Sequence, residues 1–147
     1  MFIGKFKYSI DSKGRISIPA KLRKNVNPEA NESFIITRGT EKCIDIYPLD
    51  SWKELYEKKL KRLNTFEPNE ARFLRMLLQE ASEDSFDTQS RVSIPKSLIE
   101  YAGIKKEVLI LGAMEKIEVW DPATYDAYIN ESSKSYEEIA KEVMADE

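Results

Sequence analysis

Apolar positions in this chain alternate with polar ones in several short stretches and recur every third or fourth residue in others. Phe6 to Ile10 alternates weakly into Asp11-Ser12-Lys13-Gly14, where Asp in the first turn position and Gly in the fourth suit a type I turn. Arg15 to Ile18 predicts a return strand with Ile16 and Ile18 on one face and Arg15 and Ser17 on the other. Pro19 suits the first position of a short helix reaching Val26, with Leu22 and Val26 on its buried side, and Asn27-Pro28 ends it. Strands follow at 34–38 and 43–47, and again at 107–111 and 116–120.

Helical spacing fills the rest. Ser51-Trp52-Lys53-Glu54 reads as a capping box, followed by a stripe of Trp52, Leu55, Tyr56 and Leu63. Pro68 opens a second helix with Phe73, Leu74, Leu77, Leu78 and Ala81 predicted inward. Asp121-Pro122 starts a short helix carrying Tyr125 and Tyr128. A last one begins near Ser135, with Tyr136, Ile139, Ala140 and Val143 at i, i+3, i+4 and i+7.

The pattern is duplicated. Residues 11–24 align with 87–100 at an offset of 76, with six of fourteen positions identical, including Asp11/Asp87, Arg15/Arg91 and Pro19/Pro95. Ile35-Ile36-Thr37-Arg38-Gly39 aligns with Val108-Leu109-Ile110-Leu111-Gly112, and 43–47 with 116–120, at an offset of 73. One connecting loop is thus expected to be three residues shorter in the second copy. Duplication of this kind marks a unit that cannot bury its own apolar face, and two copies point to a pseudo-symmetric pair. The expected organisation is a first unit at 5–50, a helical linker at 51–80, a second unit at 81–124 and a helical tail at 125–147.

The 147 residues suit one compact domain or two interlocked ones, and 41% apolar with 33% charged residues excludes a disordered chain. No apolar run approaches the roughly 18–20 residues of a membrane span, and the N-terminus lacks a signal-peptide core, so a cytoplasmic location is expected. The lone cysteine, Cys43, reads as a buried structural thiol. There is no histidine, no acidic pair in a catalytic frame, and no Walker, dinucleotide-binding or nucleophile-elbow motif. The chain reads as a binder, not an enzyme, with no cofactor, metal or small-molecule substrate.

Net charge is −3, but it is polarised. Residues 1–24 carry seven basic side chains against Asp11 alone, whereas 131–147 carry six acidic against two basic; 87–100 is neutral. Local charge governs encounter with a polyanion. Arg15 either pairs with Asp11 across the turn or, on the outward face among nearby lysines, contacts phosphate or base; arginine suits bidentate guanine recognition. Arg91 has the same two readings with Asp87, and because its stretch is neutral it is expected to contribute less to binding than Arg15. Lys5, Lys7, Lys13, Lys21, Arg23 and Lys24 are either solvated charges or a phosphate-positioning surface. The basic helix 53–62 reads as a solvated face. In the second turn Ser90 replaces Gly14 and Gln89 replaces Lys13. A serine at positive φ is strained, so a different turn shape is expected there.

The doubled Asp-x-x-x-Arg turn followed by Ile-Pro, the opening Met1-Phe2-Ile3-Gly4, and the segments Gly39-Thr40-Glu41-Lys42-Cys43-Ile44 and Glu118-Val119-Trp120 resemble the MraZ family over nearly the whole chain. The resemblance implies a transcriptional regulator with two SpoVT/AbrB-like units in one chain. Its fold would be mainly β with α, a duplicated swapped-hairpin β-barrel forming an intrachain pseudo-dimer. It implies binding to repeated double-stranded DNA elements in the chain's own promoter, repression of that promoter and of a division and cell-wall gene cluster, nucleoid association, and a homo-oligomeric ring. It maps DNA contact onto Arg15 and, by repeat, onto Arg91. AbrB-like units also serve as antitoxins that hold a protein partner, which is the alternative reading.

Overall fold

A computed structural model describes residues 1–145. The first repeat comprises β1 (Lys5–Ser9), β2 (Arg15–Ser17), α1 (Ala20–Arg23), β3 (Ser33–Arg38), β4 (Ile44–Pro48), α2 (Leu49–Lys58) and α3 (Pro68–Gln79). The second runs β5 (Ser82–Ser85), β6 (Arg91–Ser93), α4 (Lys96–Ala102), β7 (Glu107–Ala113), β8 (Lys116–Trp120), α5 (Pro122–Asn130) and α6 (Tyr136–Val143). This is the expected α+β duplication.

The strands are exchanged between repeats. Six of them form an antiparallel sheet in the order β1-β7-β8-β4-β3-β5, and β2 pairs with β6 as a separate ribbon. The first strand of each repeat therefore lies against the third strand of the other. The register is centred on a pseudo-twofold axis: Ile16 faces Val92 in the ribbon, with Arg15 opposite Ser93 and Ser17 opposite Arg91. In the sheet, Asp45 faces Glu118, flanked by Ile44–Val119 and Ile46–Ile117.

One core lies between sheet and ribbon. Ile16, Ile18, Val92 and Ile94 from the ribbon and its extensions meet Phe34, Ile36, Ile44, Ile46, Val108, Ile110, Ile117 and Val119 from the sheet. Leu22 of α1 and Leu98 of α4 close its ends. Both repeats contribute to this one cluster, so separating them would expose a large part of it to water. On the sheet's other side, Trp52 of α2 packs edge-on against Tyr47 at 5.4 Å, and Tyr125 of α5 packs against Trp120 at 5.1 Å.

The structure corrects several expectations. Phe6 faces Ile110, and its repeat-mate Ser82 faces Ile36, so Ile36 corresponds to Ile110 at an offset of 74. The alignment of Gly39 with Gly112 is thus one residue out of register. A one-residue slip exchanges the faces of a strand, and burial of Phe34, Ile36, Val108 and Ile110 fixes the true pairing. The shortening is accordingly divided between the connection into β7 and the β7–β8 turn.

Pro19 and Pro95 precede their helices as extended caps, with ψ near 140°, instead of occupying the first helical position. Helix α1 ends at Arg23, and three-residue turns carry the chain on to Val26. Helix α2 starts at Leu49 directly after Pro48, so Ser51 lies inside it and no capping box forms there. Ser135 does form one with Glu138. On α3 the buried residue is Ala71; Leu74 and Leu77 are half-buried, whereas Phe73 and Leu78 point outward.

The second turn keeps the shape of the first. Ser90 takes φ 59° where Gly14 takes φ 79°, and Gly14 N and Ser90 N each bond back to the carbonyl of the turn Asp. The two sites differ in what a side chain would meet. A Cβ on Gly14 would lie 2.9 Å from the Ile94 carbonyl oxygen and 3.2 Å from Ile99 Cδ1. Gly14→Ala should therefore lower stability in urea unfolding by more than about 1 kcal/mol, since positive-φ strain alone costs about 1–2 kcal/mol. Ser90→Gly should stay within about 1 kcal/mol of the parent, because relief of strain is offset by glycine's backbone entropy of roughly 0.5–1 kcal/mol. Equal losses for the two variants would contradict this account of the turns.

Candidate nucleic-acid interface

Pleating sends Ile16 and Val92 into the core, so Arg15, Ser17, Arg91 and Ser93 line the outward face of the β2–β6 ribbon. Each arginine is held by its own turn. Asp11 Oδ1 accepts from the backbone N–H groups of Lys13 and Arg15, both at 2.9 Å, and Oδ2 accepts from Arg15 Nε at 2.7 Å. Asp87 repeats this with Gln89 N at 2.8 Å, Arg91 N at 3.0 Å and Arg91 Nε at 2.8 Å. Arg91 Nη1 also lies 3.7 Å from Asp11 Oδ2, which brings both guanidinium groups to one carboxylate near the pseudo-twofold axis.

Pairing with the aspartate and pointing outward are thus compatible, although the sequence posed them as alternatives. The aspartate takes Nε and fixes the guanidinium plane. An end-on, two-point contact to a base or phosphate uses the Nη groups, which on Arg15 have no aspartate partner and on Arg91 include one, Nη1, near Asp11.

The exchange of strands also redistributes charge. Ile94 N donates to Gly14 O at 2.8 Å, and Ile18 N to Ser90 O at 3.3 Å. Helix α4 therefore starts beside the first turn and α1 beside the second. Exposed Lys21 and Lys24 are thus carried by the helix that starts beside the second turn, which adds basic side chains on that side that the residues around Arg91 in sequence do not supply. The first turn has exposed Lys13, the start of α4 at Lys96, and Lys106, whose carbonyl accepts from Ile10 N at 2.8 Å. Lys96 and Lys106 were missed from sequence because their proximity depends on the crossing.

Not every candidate basic residue joins this face. Arg23 is half-buried and its Nε donates to Ile18 O at 2.9 Å, tying α1 to the ribbon. Lys5 and Lys7 pair with Leu111 and Leu109 on β7, on the face opposite to Phe6 and Ile110. They project from the outer side of the sheet, a different layer from Arg15.

On that outer side Lys116 Nζ lies 2.9 Å from Asp45 Oδ2 and 3.4 Å from Glu118 Oε2, at the pseudo-twofold axis. Burial alone would lower the Lys116 ammonium, but the Asp45 charge and hydrogen bond, with Tyr47 and Glu118, hold it well above its ordinary value. Cys43, Asp45 and Glu118 could each offer a metal-ligand atom. The ammonium already serves as the cation between the two carboxylates. Burial, then the Asp45 charge, pushes the Cys43 thiol far up, as suits a structural cysteine.

Ribbon, turns and duplication define a class: a two-repeat, strand-swapped protein of the AbrB-like kind. The family described as "MraZ protein, putative antitoxin-like" matches residues 1–76 and again 77–146. A protein named transcriptional regulator MraZ from Halothermothrix orenii is 44% identical over 140 residues, covering 95% of this chain and 94% of its own length. One of the same name from Natranaerobius thermophilus is 39% identical over 144 residues, covering 98% and 97%. The chain belongs to the MraZ family, and the names of these relatives support a transcriptional regulator. No helix among the described residues is long and apolar enough to cross a membrane.

The carboxylates give this interface a pH signature. Hydrogen bonds from the Arg15 backbone N–H, then its side chain and Lys13 N–H, hold Asp11 below its ordinary value of 3.8; Arg91 and Gln89 do the same for Asp87. A lowered folded value means the ionised turn contributes to stability above the unfolded value and loses that contribution as pH falls through the folded one. In an NMR titration both carboxyls should titrate below 3.8. The amides of Lys13, Arg15, Gln89 and Arg91 should lose exchange protection over that same acidic window. Either carboxyl titrating at or above its ordinary value would refute the buttress.

Proposed function

We propose that this chain is a sequence-specific double-stranded DNA-binding regulator that reads operator DNA with the β2–β6 ribbon. The observation that carries the reading is the pair Arg15 and Arg91 on the ribbon's outward face, each oriented through Nε by its turn aspartate. The major groove of B-form DNA admits a two-stranded ribbon, and arginine is the commonest specific partner of guanine there. Lys13, Lys21, Lys24 and Lys96 flank the ribbon and position phosphates. Lys5 and Lys7 add to the field without direct contact, and Arg23 supports α1.

The regulated DNA is the chain's own promoter and its division and cell-wall gene cluster, which it represses through repeated elements. It does so as a nucleoid-associated ring in the cytoplasm. A single subunit offers two arginines, too few contacts for more than weak affinity. A ring multiplies them by tethering, a gain of roughly 10²–10⁴-fold. An antitoxin-type partner role is the weaker alternative, resting on the wording of the family description and the exposed α6.

Gel shifts with the chain's own upstream DNA test this. Arg15→Ala and Arg91→Ala should each lose about 1–3 kcal/mol per contact. Their thermal unfolding should move by no more than about 1 kcal/mol, the usual ceiling for a partly exposed ion pair. Because the crossing supplies lysines to both turns, the two losses should be comparable. Unchanged affinity in both variants would overturn the assignment, and a large gap between them would overturn the shared-face account.

A further inference from the structure

Helices α5 and α6 follow β8 as α2 and α3 follow β4, but the second helices of the two repeats behave differently. Helix α3 folds back on its own sheet: Ala71 is buried, and Thr37 Oγ1 donates to Leu77 O at 2.7 Å. Helix α6 leaves its apolar stripe open, with Tyr136 81%, Ile139 39% and Val143 73% exposed. Yet it is fully formed, with a complete capping box at Ser135 and Glu138. An isolated helix of this length is marginal in water, so burial of this stripe on a surface would stabilise α6.

A surface of matching chemistry exists at the other repeat. A cleft of about 570 Å³ opens between α2, α3 and the outer face of the sheet. Its apolar lining includes Leu55, Leu60, Leu63, Phe73, Met76 and Leu77. Phe73 and Met76 are 43% and 41% exposed there, unsatisfied by the chain's own packing. Arg38, Lys59 and Lys116 also line the cleft, where Asp45, paired with Lys116 at 2.9 Å, is the one acidic lining residue. Helix α6 carries Glu137, Glu138 and Glu142 against Lys141, with Glu142 paired to Lys134 at 2.7 Å and Glu137 and Glu138 leaving it net acidic. An acidic amphipathic helix with anchors at i, i+3 and i+7 thus meets a basic-edged apolar groove, the recurrent geometry of helix-in-groove recognition.

We propose that this cleft receives α6 from a second copy of the chain. Each copy then offers one helix and one groove on different repeats, so the contact is head-to-tail. Contacts of that kind close into rings when the rotation permits. The proposal deepens the assembly reading above by naming both halves of the contact.

Light scattering on DNA-free, full-length protein tests it. The parent should assemble beyond the mass of one 17.0 kDa chain. A helix variant, Tyr136→Ala/Ile139→Ala/Val143→Ala, and a groove variant, Phe73→Glu/Met76→Glu, should each run as single chains. Circular dichroism should retain the parent's strand signal, since all five positions are exposed. Mixed together, the two variants retain one intact helix and one intact groove, and should form a one-to-one dimer and nothing larger. A helix variant that still assembles, or a mixture that does not combine, overturns this interface while leaving the ring standing. A monomeric parent overturns both, including the case in which α6 closes on its own groove.

Discussion

Everything in this molecule hangs on the pairing of β2 with β6 across the Ile16–Val92 contact. Neither repeat supplies both a floor and a lid for its apolar residues. The sheet needs both copies' ribbon strands to cover Phe34, Ile36, Ile44 and Ile46 and their counterparts Val108, Ile110, Ile117 and Val119. Deleting a fully buried isoleucine side chain from such a core costs about 2–5 kcal/mol. At Ile16 the loss would fall on the one junction that both repeats share.

The same junction builds the candidate interface. Burying Ile16 and Val92 obliges Arg15 and Arg91 to face outward, because alternate residues of a strand take opposite sides. The tight turns that precede them place an aspartate within reach of each guanidinium. One carboxylate thereby caps a turn and orients a cation. Antiparallel pairing then sets each turn beside the other repeat's helix, so the second turn, which has no lysine of its own, lies beside the helix that carries Lys21 and Lys24. Core packing, turn geometry and charge are therefore one arrangement, and a change at Gly14 or Asp11 would act on all three.

Much of this was legible in the chain. The duplication, the strands, the turn aspartates and the outward arginines follow from identity, alternation and turn chemistry, all local properties. What escaped was whatever depends on crossing. The second turn looked electrostatically neutral because Lys21 and Lys24 lie far from Arg91 in sequence, and Lys5 and Lys7 looked close to Arg15 although pleating sends them to another layer. Matching glycines, Gly39 and Gly112, favour a hairpin alignment one residue away from the one that strand parity requires. On α3, helical periodicity could not tell that small Ala71 would take the inner position and leave Phe73 outside. At Ser51 a capping pattern was overridden by Pro48, which ends β4 and starts the helix at once.

The central claim is that both repeats jointly form one DNA-reading face. Hydrogen–deuterium exchange of the full-length protein, with and without its own upstream DNA, addresses it most directly. The account predicts slowed exchange in two stretches far apart in sequence, about 11–24 and 87–97, with similar onset as DNA is added. Protection confined to one of these stretches, or appearing on β1 and the outer sheet face while the ribbon stays unchanged, would contradict it.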